Sequence, residues 1–477
     1  MGSTSADSAW VDPDELRTSF TLAMSTMYRS EVPLYGDLVR IVAQVNCSEI
    51  PSALDPKVLA LRFGDVDPSR LELERHGAIR LGTAQELRTI RRLFALIGLY
   101  PVGYYDLSKA GLPMHATCFR PVTGASLRKN PFRVFASVLR PELLKNGKAR
   151  DVATRLLSKR NIFSDRLLQL LDLGDDQGGR LTPPQGRELV QEAIKTFGWR
   201  GTSSASREDY EQLKAEHPIL ADVACFQSAH INHLTPRTLE ITTTQEEMQK
   251  NGLRVKDRIE GPPPRKCPIL LRQTSFLAIE ESIKFLGDED DEAGPQTKGT
   301  HKARFGEIEE RGAAVTKTGR KLYDQLFDKV VASEAQQGER LSQDDYYELI
   351  SRVFKQYPDD WRELRRRRLL YYTLEPTNKA QHARSAGSST TLETLLDDGV
   401  VEAFPITYED FLPLSAAGIF QSNLDAEALP YATAEPDPKG LESALGVPIN
   451  DPDALYQCLQ DESVARCAAF LGLGIVS

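Results

Sequence analysis

Hydrophobic positions in this chain keep two periods, and the alternation between them marks two similar runs of structure. Leu87, Ile90, Phe94 and Ile97 recur at three- and four-residue spacing, the signature of a helix with one apolar face. Thr83-Ala84-Gln85-Glu86 before them forms a capping box, and Gly98 after them suits a helix end, so the pattern predicts a helix over Thr83 to Ile97. Tyr100 to Leu107, His115 to Pro121 and Phe132 to Leu139 are short, rich in aromatic or β-branched residues, and separated by Gly, Pro, Asn or Lys. They read as strands. The piece that opens this run, His76-Gly77-Ala78-Ile79-Arg80, recurs in kind as His233-Leu234-Thr235-Pro236-Arg237. A shorter helix signal follows at Thr244 to Asn251, then strand signals at Leu253 to Glu260, Pro268 to Ser275 and Ala303 to Glu310. The expected fold is α+β: two βαβββ units forming a curved mixed sheet around a metal, with helical insertions and a C-terminal extension.

Around these units the pattern is helical. Asp12-Pro13 supplies a cap and a first-turn proline for a helix to about Tyr28, and another is expected from Leu34 to about Val45. The expected organisation is a helical arm over 1–70, the first unit over 71–140, a helical insertion over 141–225, the second unit over 226–315 and an extension covering the site over 316–477. The insertion carries helix signals at Lys145 to Lys159, Asp165 to Leu173, Pro184 to Phe197 and Ser206 to Glu216. Gly287 to Gly299 is acidic and reads as a surface loop, and Gly387-Ser388-Ser389 as a connector. The extension begins with a helical stretch from Thr316 to Lys355, and ends in short strands near Tyr371 and Ala403 and small helices after Asp425.

Composition narrows the function classes. A chain of 477 residues, 40% of them hydrophobic, can bury a sizeable core, and a net charge of -9 disfavours nucleic acid as the main partner. No apolar run is long enough to span a bilayer, and the N-terminus lacks the order of a secretory signal, so a cytoplasmic location without membrane association is expected. The six cysteines are scattered, with no C-x-x-C pair, which argues against disulfides and thiolate zinc sites. Arg365 to Arg368 form the one basic cluster, read as a solvated helix face, with an anion site as the alternative.

The candidate chemistry lies on the repeated strands. His76 and His233 open equivalent strands, and a carboxylate from the last strand of the second unit would complete a facial two-histidine, one-carboxylate metal site. His230 is the alternative second ligand, since histidines three apart in a strand face opposite ways. Glu307 and Glu309 share a face, so alternation leaves both open, although small Gly306 and apolar Ile308 flank Glu307. Fe(II) in such a set belongs to oxygenases and zinc to hydrolases; the residues leave the metal open. Arg80, four residues beyond His76, is the expected catalytic and substrate-binding residue, its fork suited to a carboxylate.

Several blocks carry a family resemblance. They are Glu74-Arg75-His76-Gly77-Ala78-Ile79-Arg80, Tyr100 to Leu107, His230-Ile231-Asn232-His233-Leu234-Thr235-Pro236-Arg237, Cys267 to Phe276, Arg304-Phe305-Gly306-Glu307-Ile308-Glu309 and Tyr408 to Phe420. From about Ser30 to Asp425 the chain resembles the 2-oxoadipate dioxygenase/decarboxylase family, also called 2-hydroxyglutarate synthase. The resemblance implies a vicinal-oxygen-chelate core, Fe(II) held by His76, His233 and Glu307, and Arg80 as carboxylate anchor. It also implies conversion of 2-oxoadipate and O2 to 2-hydroxyglutarate and CO2, a step of lysine catabolism. Glu307-Ile308-x-x-Arg311 further resembles the last-ligand strand of hydroxyphenylpyruvate dioxygenase, which favours Glu307. Leu414 and Ser415, in a Pro-Leu-Ser-Ala-Ala-Gly turn, are the candidate substrate contacts of the C-terminal block; Asn232, Arg272 and Gln273 are unranked polar neighbours. The acidic loop and the region after Asp425 depart from the family pattern. The rival readings are a zinc-dependent hydrolase or isomerase on the same scaffold and a non-catalytic binding module.

Overall fold

The computed structural model describes residues 9–48, 50–63, 74–285, 299–337, 340–383, 391–412 and 434–472. The first run of alternating residues folds into β1 (His76–Leu81), β2 (Tyr100–Asp106), β3 (Met114–Arg120) and β4 (Arg133–Leu139), with the helix Ala84–Leu96 between β1 and β2. Thr83 Oγ1 accepts from Glu86 N, and Glu86 Oε2 accepts from Gly82 N at 2.7 Å, so the helix start satisfies donors that would otherwise be buried without partners. Its apolar side, Leu87, Ile90, Leu93 and Phe94, packs on Ile79, Leu81, Phe119, Val134 and Ala136 in the largest core cluster.

The second run gives β5 (His233–Thr235), β6 (Leu271–Ser275), β7 (Glu280–Ile283), β8 (Gly299–Lys302) and β9 (Phe305–Arg311). One seven-stranded sheet has the order β2-β3-β4-β1-β5-β9-β6, while β7 and β8 pair separately. At its centre β1 and β5 run antiparallel, and each has the last strand of its own unit as a parallel neighbour, β4 beside β1 and β9 beside β5. That exchange of equivalent strands is the geometric meaning of the echo between His76–Arg80 and His233–Arg237. The α+β expectation is met by this mixed sheet with helices packed on its convex side.

Two details differ from expectation. Leu253 to Glu260 does not form a strand and is reduced to isolated bridges at Val255 and Glu260. Lys256 N and Glu260 N donate to β6, but the N–H of Ile259 donates to Tyr347 Oη at 2.9 Å and the Arg258 side chain bonds Glu334 and Leu341 O, so the helical extension interrupts the ladder. The strand expected over Ala303 to Glu310 is β9 and starts two residues later, after Arg304, whose guanidinium is drawn to Glu281 and Glu31. The helical stretch expected over Thr316 to Lys355 is made of two helices, Lys317–Ala335 and Gln343–Phe354.

The N-terminal helices Pro13–Glu31 and Pro33–Asn46 brace the convex side of the sheet. Tyr28 Oη reaches Asn232 O at 2.9 Å and Phe305 O at 2.7 Å, tying the first helix to the strands that carry the site. A Cβ on Gly306 would lie 2.5 Å from Phe276 and 2.7 Å from Leu38, so the sheet and Pro33–Asn46 approach more closely there than any side chain permits. Gly306→Val should therefore lower stability by about 1–3 kcal/mol through overpacking, read as a fall in urea midpoint; an unchanged midpoint would mean this contact yields freely.

At the C-terminal end, β10 (Tyr372–Pro376) and β11 (Val401–Pro405) pair with each other, and the helix Pro452–Leu471 packs beside them. Arg366 and Arg367 pair with Asp397 and Glu363 on a solvated face, whereas Arg365, expected there as well, is buried against Glu393. Cys118, Cys225, Cys267 and Cys467 are buried, whereas Cys47 and Cys458 are exposed, and no disulfide joins the six. Among the described residues no helix is long and apolar enough to cross a membrane.

Candidate metal centre

Strand register brings the repeated histidines to one face. In the β1–β5 pair His76 stands opposite Thr235 and Ala78 opposite His233, while β5 and β9 align His233 with Phe305. Side chains alternate across a strand, so His76, His233, Thr235, Glu307 and Glu309 all project from the concave side.

His76, His233 and Glu307 each offer one ligand atom to a group whose atoms all lie within 4.8 Å of one another, and all three residues are buried. His76 Nε2 is 2.8 Å and His233 Nε2 4.0 Å from Glu307 Oε1. Thr235 Oγ1 sits between them, 3.0 Å from His76 Nε2 and 3.1 Å from Glu307 Oε1. Glu307 Oε2 and His233 Nδ1 are buried without a hydrogen-bond partner. Two imidazoles and a carboxylate that converge with lone pairs unsatisfied fit a divalent cation; a buried apolar-core histidine pair would not require them.

Glu309 is the residue that the sequence undervalued. Its position two residues from Glu307 predicts the shared face, but not what that face meets. Its carboxylate is fully buried and lies 2.8 Å from His76 Nδ1. Arg133 donates to it at 2.8 Å, Arg311 at 2.7 and 2.8 Å, and Arg75 Nε lies at 3.6 Å. Burial alone would raise the Glu309 pKa, but the charges of Arg133 and His76, with Arg75, hold it down at about 2. An ionised carboxylate on the far nitrogen of a ligating histidine fixes ring orientation and tautomer.

The two histidines differ electrostatically. Burial opposes charge on His76, yet the Glu309 charge and hydrogen bonds to Glu307 and Glu309 outweigh it and raise its pKa. The same pull would favour a cation at Nε2. Burial and the positive charges of His76, Arg80 and Lys256 hold His233 well below the usual range, which keeps it in the neutral form that ligates. His233 also stacks on Phe305, with centroids 4.7 Å apart.

The C-terminal extension reaches this face. Phe411 places its ring centroid 4.8 Å from that of His76 and 5.0 Å from that of Phe135. The residues before it are pinned: Arg75 bonds Glu409 at 2.8 Å, Arg120 bonds Asp410 at 2.7 Å, and Tyr456 Oη donates to Asp410 Oδ2 at 2.6 Å. Leu414 and Ser415 lie outside the described residues, as does nearly all of the acidic stretch from Gly287 to Gly299.

Other candidates are placed apart from the triad. His230 lies before β5 and belongs to a second buried group with Asp222 and His301. Arg80 shares the concave face of β1, and its Nη1 donates to Asp222 Oδ2 at 2.5 Å. Arg272 turns toward Glu310, 3.6 Å away, on the other side of the sheet. Gln273 stands opposite Glu309 in register, and Asn232 uses its backbone to bond Ala78 and Phe305. Asp222 was missed although it carried a signal: it is the lone acid in the apolar helix Pro218–Ala224. His301 and the arginines around Glu309 had no such local sign.

Comparison with known proteins gives a consistent picture. The family model for 2-oxoadipate dioxygenase/decarboxylase matches residues 20–423. The 2-oxoadipate dioxygenase/decarboxylase of Escherichia coli (strain K12) is 45% identical over 459 residues, 96% of this chain and 98% of the relative. That of Pseudomonas putida is 45% identical over 468 residues, 98% of each chain. The crystal structure of the hydroxyglutarate synthase from Pseudomonas putida in complex with 2-oxoadipate superposes with a TM-score of 0.87 at 44% identity, covering 98% of this chain and 100% of that one.

Proposed function

This chain belongs to the 2-oxoadipate dioxygenase/decarboxylase family, and from that premise we propose that it is an Fe(II) enzyme converting 2-oxoadipate and O2 to 2-hydroxyglutarate and CO2. The single observation that carries the metal reading is the convergence of His76, His233 and Glu307 within 4.8 Å on the buried face of the sheet. Bound Fe(II) would supply chelation of the 2-oxo acid and activation of O2, chemistry that no side chain offers. The atoms of the reaction balance: C1 leaves as CO2 with its own two oxygens, and both oxygens of O2 end in the shortened acid, one in its new carboxylate and one in its hydroxyl.

The residues themselves have separate tasks. His76 and His233 present imidazole nitrogens and Glu307 one carboxylate, leaving coordination positions open for an organic ligand and O2. Glu309 orients His76 from behind. Phe135, Phe305 and Phe411 wall the site with apolar surface, which excludes water and strengthens electrostatic contacts inside. Arg80 supplies a guanidinium for a substrate carboxylate, and Leu414 and Ser415 contact the substrate from the segment following Phe411. The enzyme would work in the cytoplasm, in lysine catabolism.

Anaerobic reconstitution with Fe(II), followed by O2 uptake and CO2 release against 2-oxo acids of graded chain length, tests this reading. One O2 consumed per 2-oxoadipate, with CO2 released, is expected. Turnover without O2, or full activity with zinc alone, would move the chain to hydrolase or isomerase chemistry.

A further inference from the structure

Asp222 is 2% exposed, and its helix, Pro218–Ala224, belongs to the helical insertion rather than to either sheet unit. Its two carboxylate oxygens are divided between different partners. Oδ2 accepts from Arg80 Nη1 at 2.5 Å; Oδ1 lies 2.9 Å from His301 Nε2 and 3.1 Å from His230 Nε2. An ionised carboxylate only accepts, so His301 must present Nε2–H. Tyr210 Oη lies 3.0 Å from His301 Nδ1 and 3.1 Å from Thr300 O, so its one proton is shared between those two acceptors on the far side of the ring. Trp199 stacks on the His301 ring, with centroids 5.7 Å apart, and meets His230 edge-on at 4.8 Å. Side chains from the insertion, β8 and the segment before β5 therefore converge on one carboxylate.

Two histidines and an aspartate resemble a second metal site, but the charges argue otherwise. The Arg80 guanidinium already neutralises Asp222 at hydrogen-bond distance and would repel a dication placed beside it. Stability alone does not account for the arrangement either, because a buried ion pair contributes little over a well-packed apolar replacement. What the arrangement does achieve is control of direction. With one oxygen held by His301 and flanked by His230, Oδ2 is left to face Arg80, and its bond to Nη1 anchors that end of the guanidinium beside the strand that also carries His76. A bidentate carboxylate contact depends on the guanidinium plane.

We propose that Asp222, braced by His301 and His230, is a positioning residue that orients Arg80 toward the carboxylate of the 2-oxo acid. The proposal rests on the reading of Arg80 as a substrate contact. It gives the helical insertion a part in substrate recognition and gives His230 a role away from the metal.

The test is a double-mutant cycle on the Fe(II)-loaded enzyme, reading KM, kcat, iron content and melting temperature for Arg80→Ala, Asp222→Asn and the double variant. Arg80→Ala should raise KM or lower kcat/KM by roughly ten- to a hundredfold. Asp222→Asn should raise KM by about tenfold with iron content unchanged and kcat much less affected. The double variant should match Arg80→Ala alone, since a residue acting through Arg80 has nothing left to orient. His301→Gln, a milder change, should shift KM in the same direction and decides the matter if Asp222→Asn does not fold. Independent, additive effects of Arg80 and Asp222 would overturn the proposal, as would an unchanged KM in Asp222→Asn or a second equivalent of iron that is lost with Asp222. An unchanged kcat/KM in Arg80→Ala would instead overturn the Arg80 reading itself, and this proposal with it.

Discussion

His76→Ala and Glu307→Ala are expected to abolish iron retention and turnover while leaving a folded protein. Each removes one of three converging ligand atoms, and catalysis should fall by at least about a thousandfold, beyond the hundred- to thousandfold typical of losing one electrostatic contact. Stability should change far less. Glu307 is fully buried, but the partners recorded for it are Thr235, His76 and His233, with no arginine among them. Removing its charge therefore leaves no guanidinium stranded. Iron analysis together with urea unfolding checks both halves: a variant that unfolds would make Glu307 structural, and one that keeps iron would remove it from the ligand set.

Glu309→Gln should behave in the opposite way, although it lies two residues along the same strand. Its carboxylate accepts from Arg133 and Arg311 and faces Arg75 and His76, all buried. Breaking a buried ionic cluster by removing one partner typically costs about 3–5 kcal/mol, a large share of a total stability of about 5–15 kcal/mol. The iron site should weaken as well, by roughly ten- to a hundredfold in affinity, because the group orienting His76 is lost. The measurement is the urea midpoint beside an iron titration. A Glu309→Gln protein as stable as wild type would show that the three arginines are held by other partners, and unchanged iron affinity would show that His76 keeps its orientation without it.

The difference between these neighbouring glutamates shows where sequence reading reached its limit. Period-two alternation placed Glu307 and Glu309 on one face, and they are. Both reach His76, Glu307 at Nε2 on the side shared with His233 and Glu309 at Nδ1; which takes which place depends on how β9 is registered against β5, and no local pattern states that register. His233 and His230 were separable in part, because residues three apart cannot share a strand face. In the structure β5 starts at His233, and His230, in the irregular segment before it, turns to Asp222.

The first unit was legible almost throughout because its strands are continuous and its helix is capped by its own sequence. The second was less so. The segment from Leu253 to Glu260 has strand-like residues, and Lys256 N and Glu260 N do donate to β6, but between them Ile259 N donates to Tyr347 Oη of a helix 88 positions later, so no continuous ladder forms. The contacts that tie the C-terminal extension to the sheet were likewise hidden: Arg75 pairs with Glu409 across 334 positions and Arg120 with Asp410 across 290. Contacts between charged groups so far apart leave no periodic trace, whereas apolar faces do.

The central claim is that His76, His233 and Glu307 together hold the iron. Its most direct test is an anomalous-scattering map, recorded at the iron absorption edge, of crystals loaded anaerobically with Fe(II). The account predicts one peak per chain, within coordination distance of His76, His233 and Glu307. A peak between Asp222, His230 and His301 instead, or none at the first group, would contradict it.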